Sequence, residues 1–197
     1  GHEFAGEVVQ AGAGTAGLRV GQRIVAVNSA PCNRCFFCKI GRQSLCESLT
    51  FKHEGGFAEY TRIPAPIASQ NLLPIPENVS FAQAALTEPL ACVVHGVEES
   101  NIRLGDTVLV NGAGPIGLMY VCLARLKGAR VIVTDLTRER LEIAKRIGAD
   151  EVVQVAGESA AGKVRSLTPG GRGADVAVEA VGLPEVWEAT VAMARKG

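Results

Sequence analysis

Apolar residues follow short, glycine-broken runs in the first part of the chain. The runs at 7–9 and 23–27 predict strands of a small β-barrel or sandwich, and the alternating segment 56–63 predicts a further strand. Ser80 is a suitable N-cap for a predicted helix over 81–86. This part of the chain is therefore expected to be a small β domain.

After Arg103 the pattern changes to an alternation of buried strands and amphipathic helices. Strands are predicted at 106–110, 130–135, 151–155 and 175–181, and helices at 115–127, 138–147, 160–167 and 184–195. Short connections between such elements favour a parallel sheet with right-handed crossovers. The fold class is thus α/β, with a doubly wound parallel sheet that is expected to be incomplete.

Composition narrows the function classes. The chain has 197 residues, 47% of them apolar, and equal numbers of basic and acidic residues, 20 each. This balance predicts neither a nucleic-acid partner nor an anionic membrane surface, and no apolar run is long enough to span a membrane. Residue 1 is Gly, and the last residues are those of a helix end, so the sequence is interpreted as an internal fragment.

Four of the six cysteines lie within fifteen residues: Cys32, Cys35, Cys38 and Cys46. Four thiolates on one loop can enclose a tetrahedral zinc at sulfur distances of about 2.3 Å. Residues 31–47 have no apolar periodicity that could form a core, so bound metal would organise this lobe. A closed structural zinc site is the prediction.

Disulfides and an iron–sulfur cluster are the two rivals to zinc at these cysteines. Disulfides belong to oxidising compartments, whereas the rest of the chain has the features of a cytosolic α/β enzyme, for which a cytoplasmic location is expected. An iron–sulfur cluster of the common ferredoxin type has a shorter gap before its last cysteine and a proline after it; here the gap is seven residues and Glu47 follows. Zinc is therefore favoured over both.

A glycine-rich turn follows the first strand of the α/β part, with the pattern Gly-x-Gly-x-x-Gly. Its residues are Gly112, Gly114, Pro115, Ile116 and Gly117. Between a strand and a helix, this pattern allows a tight turn, a close approach to a pyrophosphate and close packing of the helix, whose N-terminus faces the anion. A dinucleotide site is therefore predicted.

Asp135 ends the next strand, 18 residues after Gly117, where an acidic residue accepts hydrogen bonds from the adenosine ribose. Its charge would oppose a 2′-phosphate, so NAD is favoured over NADP. Arg138 and Arg140 keep NADP open because arginine can hold a 2′-phosphate, unless both are simply solvated residues of the helix. Arg140 is nevertheless counted among the cofactor-binding candidates.

With the cysteine loop and the glycine turn, Gly1-His2-Glu3 and its spacing to Gly6 and Gly12 resemble the zinc-containing medium-chain alcohol dehydrogenases. Thr87-Glu88-Pro89-Leu90 resembles the polyol branch, typified by sorbitol dehydrogenase. The resemblance implies a GroES-like catalytic domain over 1–80, with the zinc lobe at 31–47, and a Rossmann domain over 81–197. Both domains would be incomplete.

The resemblance also implies a catalytic zinc bound by His2, with Glu3 as a direct ligand or a ligand's partner and Glu88 reaching the metal directly or through water. A third ligand would be a cysteine upstream of Gly1, so the fragment itself is expected to be inactive. Zinc would lower the pKa of the substrate hydroxyl, Glu88 would relay a proton, and a hydride would pass to the nicotinamide.

Other candidate residues are interpreted as structural. Cys92 and His95 share a helix face with Glu88. Cys92 is nevertheless expected in the core and His95 as a satisfied polar group. Cys122 and Trp187 are expected to pack inside, and His53 and Glu54 to lie in a solvated loop.

The function expected is hydride transfer between a polyol or other secondary alcohol and NAD, by a homo-oligomer when full length. Threonine or butanediol dehydrogenase chemistry on the same scaffold is the first alternative. A zinc-free quinone or enoyl reductase would need neither His2-Glu3 nor the cysteine loop. A non-catalytic NAD-binding protein could lose His2 and Glu88, which are present here.

Overall fold

The computed structural model describes all residues except 13, 14, 16, 52–54 and 156–159. It divides into two units, Gly1–Pro89 and Leu90–Gly197. The domain limits expected from the sequence, with a division between residues 80 and 81, stay a prediction. Among the described residues, no helix is both long enough and apolar enough to cross a membrane.

The described residues contain nine strands, eight α-helices and two short 3-10 helices. The strands are β1 (Ala5–Glu7), β2 (Arg23–Ala26), β3 (Ser29–Ala30), β4 (Thr50–Phe51), β5 (Leu72–Pro74), β6 (Thr107–Asn111), β7 (Arg130–Asp135), β8 (Glu151–Gln154) and β9 (Val176–Glu179). The α-helices are α1 (Phe36–Lys39), α2 (Ala65–Gln70), α3 (Phe81–Ala85), α4 (Thr87–Glu99), α5 (Pro115–Leu126), α6 (Arg138–Ile147), α7 (Ala160–Ser166) and α8 (Pro184–Met193). The 3-10 helices are Gln43–Leu45 and Pro169–Gly171.

The first unit contains two small antiparallel sheets. One has the strand order β1-β2-β5, in which Val25 pairs with both Ala5 and Leu73, and the other pairs β3 with β4. Its buried apolar cluster is small and centres on Val25, Ile75 and Ala84. With so little apolar burial, other interactions must contribute to holding the loops of this unit.

Polar contacts fix the connection between β5 and α3. The Arg23 guanidinium donates a hydrogen bond to the Val79 carbonyl and lies 4.7 Å from the centre of the Phe81 ring. Ser80 caps α3: its hydroxyl accepts from the Gln83 N–H at 3.2 Å, and the Gln83 side chain accepts from the Ser80 N–H at 2.9 Å. This reciprocal pair confirms the cap predicted at Ser80.

The strand predicted at 56–63 is absent: the described residues there form bends and irregular chain. The side chains of Phe57 and Tyr60 are 95% and 74% exposed. Alternation predicts a strand only where one face is buried against other elements, and these two large apolar residues have no such face to occupy.

The second unit contains a four-stranded parallel sheet in the order β8-β7-β6-β9. This is the order 3-2-1-4 of the first strands of a doubly wound fold. Val110 pairs with Val133 on one side and Val178 on the other. The α/β class with a parallel sheet, predicted from the alternation of elements, is confirmed.

Side chains from successive strand positions enter two cores, one on each face of the sheet. Val108 and Val110 pack with α5 and α6 through residues such as Val121 and Leu141. Leu109 and its neighbours on that face pack with α7 and α8 through residues such as Val164 and Met193. Helices therefore cover both faces, which explains why the strands read as continuous apolar runs.

Three residues expected inside are exposed. Cys92 and Cys122 lie beside Val93 and Val121, the helix positions that face the core, and a step of one residue turns a side chain by about 100°. Trp187 is 62% exposed. An apolar helix predicts that some face is buried, but not how wide that face is.

The Asp175 carboxylate ties the entry of β9 to β6 and to the residues after α8. One oxygen accepts from the Thr107 N–H at 2.8 Å and the other from Arg195 Nε at 2.7 Å, and these donors hold the pKa of Asp175 below its usual range. A carboxyl with a lowered folded-state pKa stabilises the fold above its unfolded pKa of about 4, and this stabilisation is lost as the pH falls through the folded-state value.

Asp175→Asn is therefore expected to lower the free energy of unfolding by about 1 to 2 kcal/mol at pH 7, and by progressively less below about pH 4. Urea unfolding at several pH values measures the difference. Asp106→Asn, in the turn before β6, is the control: its carboxylate accepts from the Arg103 N–H at 2.8 Å, and its loss should lower the free energy of unfolding by less at pH 7. Parallel pH profiles for the two variants would contradict this role of Asp175.

Candidate metal centres and dinucleotide site

The four clustered cysteines converge on one point. Cys38 lies in α1, and the other three lie in the loops around it and the Gln43–Leu45 3-10 helix. All four sulfur atoms lie within 4.8 Å of one another. Sulfur ligands of one tetrahedral zinc lie about 3.8 Å apart, given bonds of about 2.3 Å, so small shifts would bring these four onto a single ion.

Backbone amides point toward these sulfur atoms. The Cys32 N–H donates to Cys46 Sγ at 3.2 Å, and the Cys35 N–H donates to Cys32 Sγ at 3.4 Å. Backbone N–H groups of Arg34 and Cys35 lower the pKa of the Cys32 thiol to about 6, and similar donors lower the pKa of Cys35. Donors of this kind favour the thiolate, the form that binds metal.

Cys38 differs from its neighbours because burial raises the pKa of its thiol to about 12. A metal ion at the centre of the cluster would therefore have to displace a proton from this sulfur. The six cysteines are all free thiols in the structure, and four thiols aimed at one another form a soft donor set that suits zinc.

The loop reaches this geometry through local turns. Asn33, between the first two cysteines, has φ +57°, a left-handed conformation that asparagine tolerates better than most residues. Its side-chain amide donates to Gln70 Oε1 at 2.6 Å, which ties the lobe to the end of α2. No sequence pattern indicated this tie.

A second cluster of donor atoms joins the start of the chain to α4. One ligand atom from each of His2, Glu3 and Glu88 lies within 4.8 Å of the others, and His2 Nε2 lies 3.6 Å from Glu88 Oε1. Nearby, the Gly56 N–H donates to the Gly1 carbonyl at 2.7 Å. Glu88 lies in the first turn of α4.

This nitrogen and oxygen donor set suits a zinc site that keeps a position open for another molecule. The His2 side chain is 55% exposed and that of Glu88 is 18% exposed, so solvent reaches the cluster. The three residues predicted as metal ligands are thus close in space; their role as ligands stays a prediction.

The three glycines of the turn have different surroundings. Gly112 has φ +110°, and a Cβ there would lie 2.7 Å from a Val181 methyl carbon. A Cβ on Gly117 would lie 1.9 Å from the Gly112 carbonyl oxygen, so only glycine lets α5 approach this closely. A Cβ on Gly114 would meet open space. That space lies at the start of α5.

The first turn of α5 offers donors to an anion. Gly114 is the N-cap residue, makes no side-chain cap, and is followed by Pro115 in the first turn. Ile116 is 39% exposed. The N–H groups of an uncapped helix start, together with the helix dipole, form an anion-binding site.

Asp135 holds two backbone segments with its carboxylate. Oδ2 accepts from the Ala113 N–H and Oδ1 from the Thr137 N–H, each at 2.7 Å. It therefore contacts the glycine turn directly and lies at the carboxyl end of β7. Arg138 pairs with Glu142 at 3.4 Å on the exposed side of α6, and Arg140 is also exposed on that helix.

Cys92 and His95 on α4 are exposed and belong to neither metal-type cluster found among the described residues. His53 and Glu54 lie outside the described residues. The sequence patterns missed Asn111, a polar residue at the end of an apolar strand. Its burial in the structure singles it out.

Two family models match the chain. The alcohol dehydrogenase GroES-like domain matches residues 1–77, and the zinc-binding dehydrogenase model matches residues 115–197. The chain belongs to the zinc-dependent alcohol dehydrogenase family. The predicted family, and with it the pairing of a GroES-like with a Rossmann fold, is confirmed.

Individual members of this family are similar over nearly the whole chain. Sorbitol dehydrogenase from Bacillus subtilis is 34% identical over 100% of this chain and 56% of its own length. L-threonine 3-dehydrogenase from Chromobacterium violaceum is 38% identical over 95% of this chain and 54% of its own. The chain therefore spans about half the length of the curated relatives it matches.

A solved structure agrees with this assignment. A zinc-binding dehydrogenase from Sinorhizobium meliloti 1021, bound to NADP, is 36% identical and has a TM-score of 0.85. The match covers 98% of this chain and 57% of the other.

The cysteine lobe offers a direct test in the full-length protein. Cys46→Ser is expected to lower the zinc content by about one ion per chain and the midpoint of thermal unfolding by about 5 °C or more, because the lobe has little apolar core. Elemental analysis and thermal unfolding measure both.

Cys122→Ser is the matched control, since that thiol is free and exposed on α5. It should change neither quantity. Equal zinc content in the two variants, or a brown protein that contains iron, would contradict the structural zinc site.

Proposed function

We propose that the protein is a zinc-dependent oxidoreductase that transfers a hydride between a polyol or other secondary alcohol and NAD. The observation that supports this most directly is the cluster of His2, Glu3 and Glu88. A Rossmann fold alone is compatible with many activities, whereas this donor set adds a site for a Lewis acid. A non-catalytic NAD-binding protein would not require such a cluster.

Each residue of the cluster has a proposed task. His2 holds zinc, Glu3 is either a further ligand or the partner that orients one, and Glu88 reaches the metal directly or through water. Zinc in this position would lower the pKa of the substrate hydroxyl. Glu88, at the solvent-accessible start of α4, takes up and releases the proton that leaves this hydroxyl.

The dinucleotide is proposed to bind at the glycine turn, with its pyrophosphate at the start of α5 and its adenosine ribose at Asp135. NAD is favoured because a 2′-phosphate would meet the Asp135 carboxylate. The Sinorhizobium meliloti protein was solved with NADP, so NADP remains the alternative. Arg138 pairs with Glu142 on the exposed side of α6, which favours Arg140 over Arg138 as the residue that would hold a 2′-phosphate.

The substrate class has two candidates. Sorbitol dehydrogenase is a relative, and Glu88-Pro89-Leu90 supports a polyol. The similarity to L-threonine 3-dehydrogenase, 38% identical, supports a hydroxyl on an amino acid instead. A homo-oligomeric state and a cytoplasmic location stay predictions.

The reaction is tested by following NADH formation at 340 nm with purified full-length protein and a panel of sorbitol, xylitol, 2,3-butanediol and L-threonine, with and without a chelator. We expect the highest kcat/KM with a polyol, loss of activity on chelation and recovery with zinc. Highest kcat/KM with threonine would favour the second candidate. Equal turnover with NADP would contradict the preference for NAD.

Glu88→Gln tests the proton role. It is expected to lower kcat at least tenfold while the Kd for NADH stays within about twofold, because the substitution removes an ionisable group from the zinc cluster but leaves the glycine turn intact. Steady-state kinetics and NADH fluorescence titration measure the two quantities.

Glu99→Gln, at the exposed opposite end of α4, is the matched control and should change neither. An unchanged kcat for Glu88→Gln would contradict the proposed role of Glu88.

A further inference from the structure

A chain of buried polar side chains runs behind the glycine turn. Thr134 Oγ1 donates to Asn111 Oδ1 at 2.6 Å, Asn111 Nδ2 donates to Thr190 Oγ1 at 2.8 Å, and Thr190 Oγ1 donates to the Val186 carbonyl at 2.7 Å. Their exposures are 6% for Asn111, 0% for Thr134 and 4% for Thr190. The chain links β7, β6 and α8.

These side chains are unusual for their surroundings. Residues 108–110 of β6 and 131–133 of β7 are apolar and 0% exposed. A buried polar group in such surroundings costs stability unless its hydrogen bonds are satisfied. No described buried side-chain nitrogen or oxygen lacks a partner. Hydrogen bonds have preferred directions, so a satisfied chain of this kind fixes how the joined elements are oriented to one another. Apolar side chains of similar volume do not provide this orientation.

The position of Asn111 indicates which part of the fold these hydrogen bonds orient. Asn111 is the last residue of β6 and immediately precedes Gly112, where the backbone turns with φ +110°. Its side chain fixes the strand end between β7 and α8. The backbone does the same on both edges: the Gly112 N–H donates to the Thr134 carbonyl at 2.8 Å, and the Ala180 N–H donates to the Asn111 carbonyl at 2.9 Å.

We propose that Asn111, Thr134 and Thr190 are positioning residues for dinucleotide binding. Their hydrogen-bonded chain holds the carboxyl end of β6 so that the glycine turn and the start of α5 present their N–H groups to a pyrophosphate without prior ordering. Affinity is higher when a site is ordered before the ligand arrives. This inference rests on the proposed dinucleotide function.

Two buried threonines of the protein supply a matched pair of variants. Thr134→Val and Thr168→Val both replace a buried threonine hydroxyl by a methyl group of similar volume. Thr168 is 5% exposed, and its hydroxyl donates to the Arg165 carbonyl at 2.7 Å and accepts from the Gly173 N–H at 3.0 Å. Gly173 precedes β9, so Thr168 lies near the amino end of that strand and not at the glycine turn.

The experiment measures two quantities in the full-length protein: the Kd for NADH by fluorescence titration, and hydrogen exchange of the 112–117 amides without ligand. Thr134→Val is expected to raise the Kd about fivefold to tenfold and to speed exchange across 112–117. Thr168→Val should lower thermal stability by a similar amount but leave the Kd within twofold and the exchange unchanged. Thr134→Ser, which keeps the hydroxyl, should restore both values.

Equal Kd values and equal exchange for wild type and Thr134→Val would overturn the inference, as would an equal rise in Kd for Thr168→Val. If Thr134→Val does not fold, Thr190→Val removes the hydroxyl at the other end of the hydrogen-bonded chain and is judged by the same two measurements. Wild-type protein that binds neither NADH nor NADPH would instead overturn the proposed dinucleotide function.

Discussion

Strand β6 pairs in parallel with β7 on one edge and with β9 on the other, and most of the second unit depends on this arrangement. Parallel strands end at the same edge of a sheet, so Asn111, Asp135 and Glu179 are brought to one side although they are distant in the sequence. The glycine turn leaves β6 there, the Asp135 carboxylate accepts from the Ala113 N–H of that turn, and Glu179 accepts from the Val181 and Gly182 N–H groups. This edge is where the dinucleotide is proposed to bind.

The close approach of α5 to the glycine turn is a second constraint on this edge of the sheet, and it is steric. Because Gly117 has no side chain to collide with the Gly112 carbonyl, the start of the helix can lie close to the strand end, and the N–H groups of its first turn lie near the sheet edge. The same turn is held from behind by the buried Asn111 side chain and from the neighbouring strand by Asp135. Polar side chains here act on the position of the backbone, while the apolar residues of the two cores supply most of the stability.

The two metal-type clusters of the first unit are built in different ways. The cysteine lobe draws all four sulfur atoms from residues 32–46, and its geometry comes from local turns such as the left-handed Asn33. The second cluster joins His2 and Glu3 at one end of the unit to Glu88 at the other. A closed set of four thiolates leaves no position for a substrate, whereas the exposed histidine and carboxylates leave room for one. The proposed roles, a structural zinc at the cysteines and a catalytic zinc at the second cluster, rest on this difference in donors and exposure.

The sequence by itself determined the features that depend on neighbouring residues. Strand β7 and helix α6 have the predicted limits, Ser80 caps α3 as predicted, and the spacing of the cysteines and glycines marked both the lobe and the turn. Periodicity, capping and turn chemistry act over a few residues, so they can be read directly. Similarity to a family, not periodicity, indicated that His2 and Glu88 would meet.

Only the tertiary structure decided which faces were covered. The alternation at 56–63 was predicted as a strand, but no buried face receives Phe57 and Tyr60. Cys122 and Trp187 lie on helices but outside the buried faces of those helices. The chain from Thr134 through Asn111 to Thr190 joins three elements and has no sequence motif. Burial and hydrogen-bond partners depend on residues that are distant along the chain, and only folding brings these together.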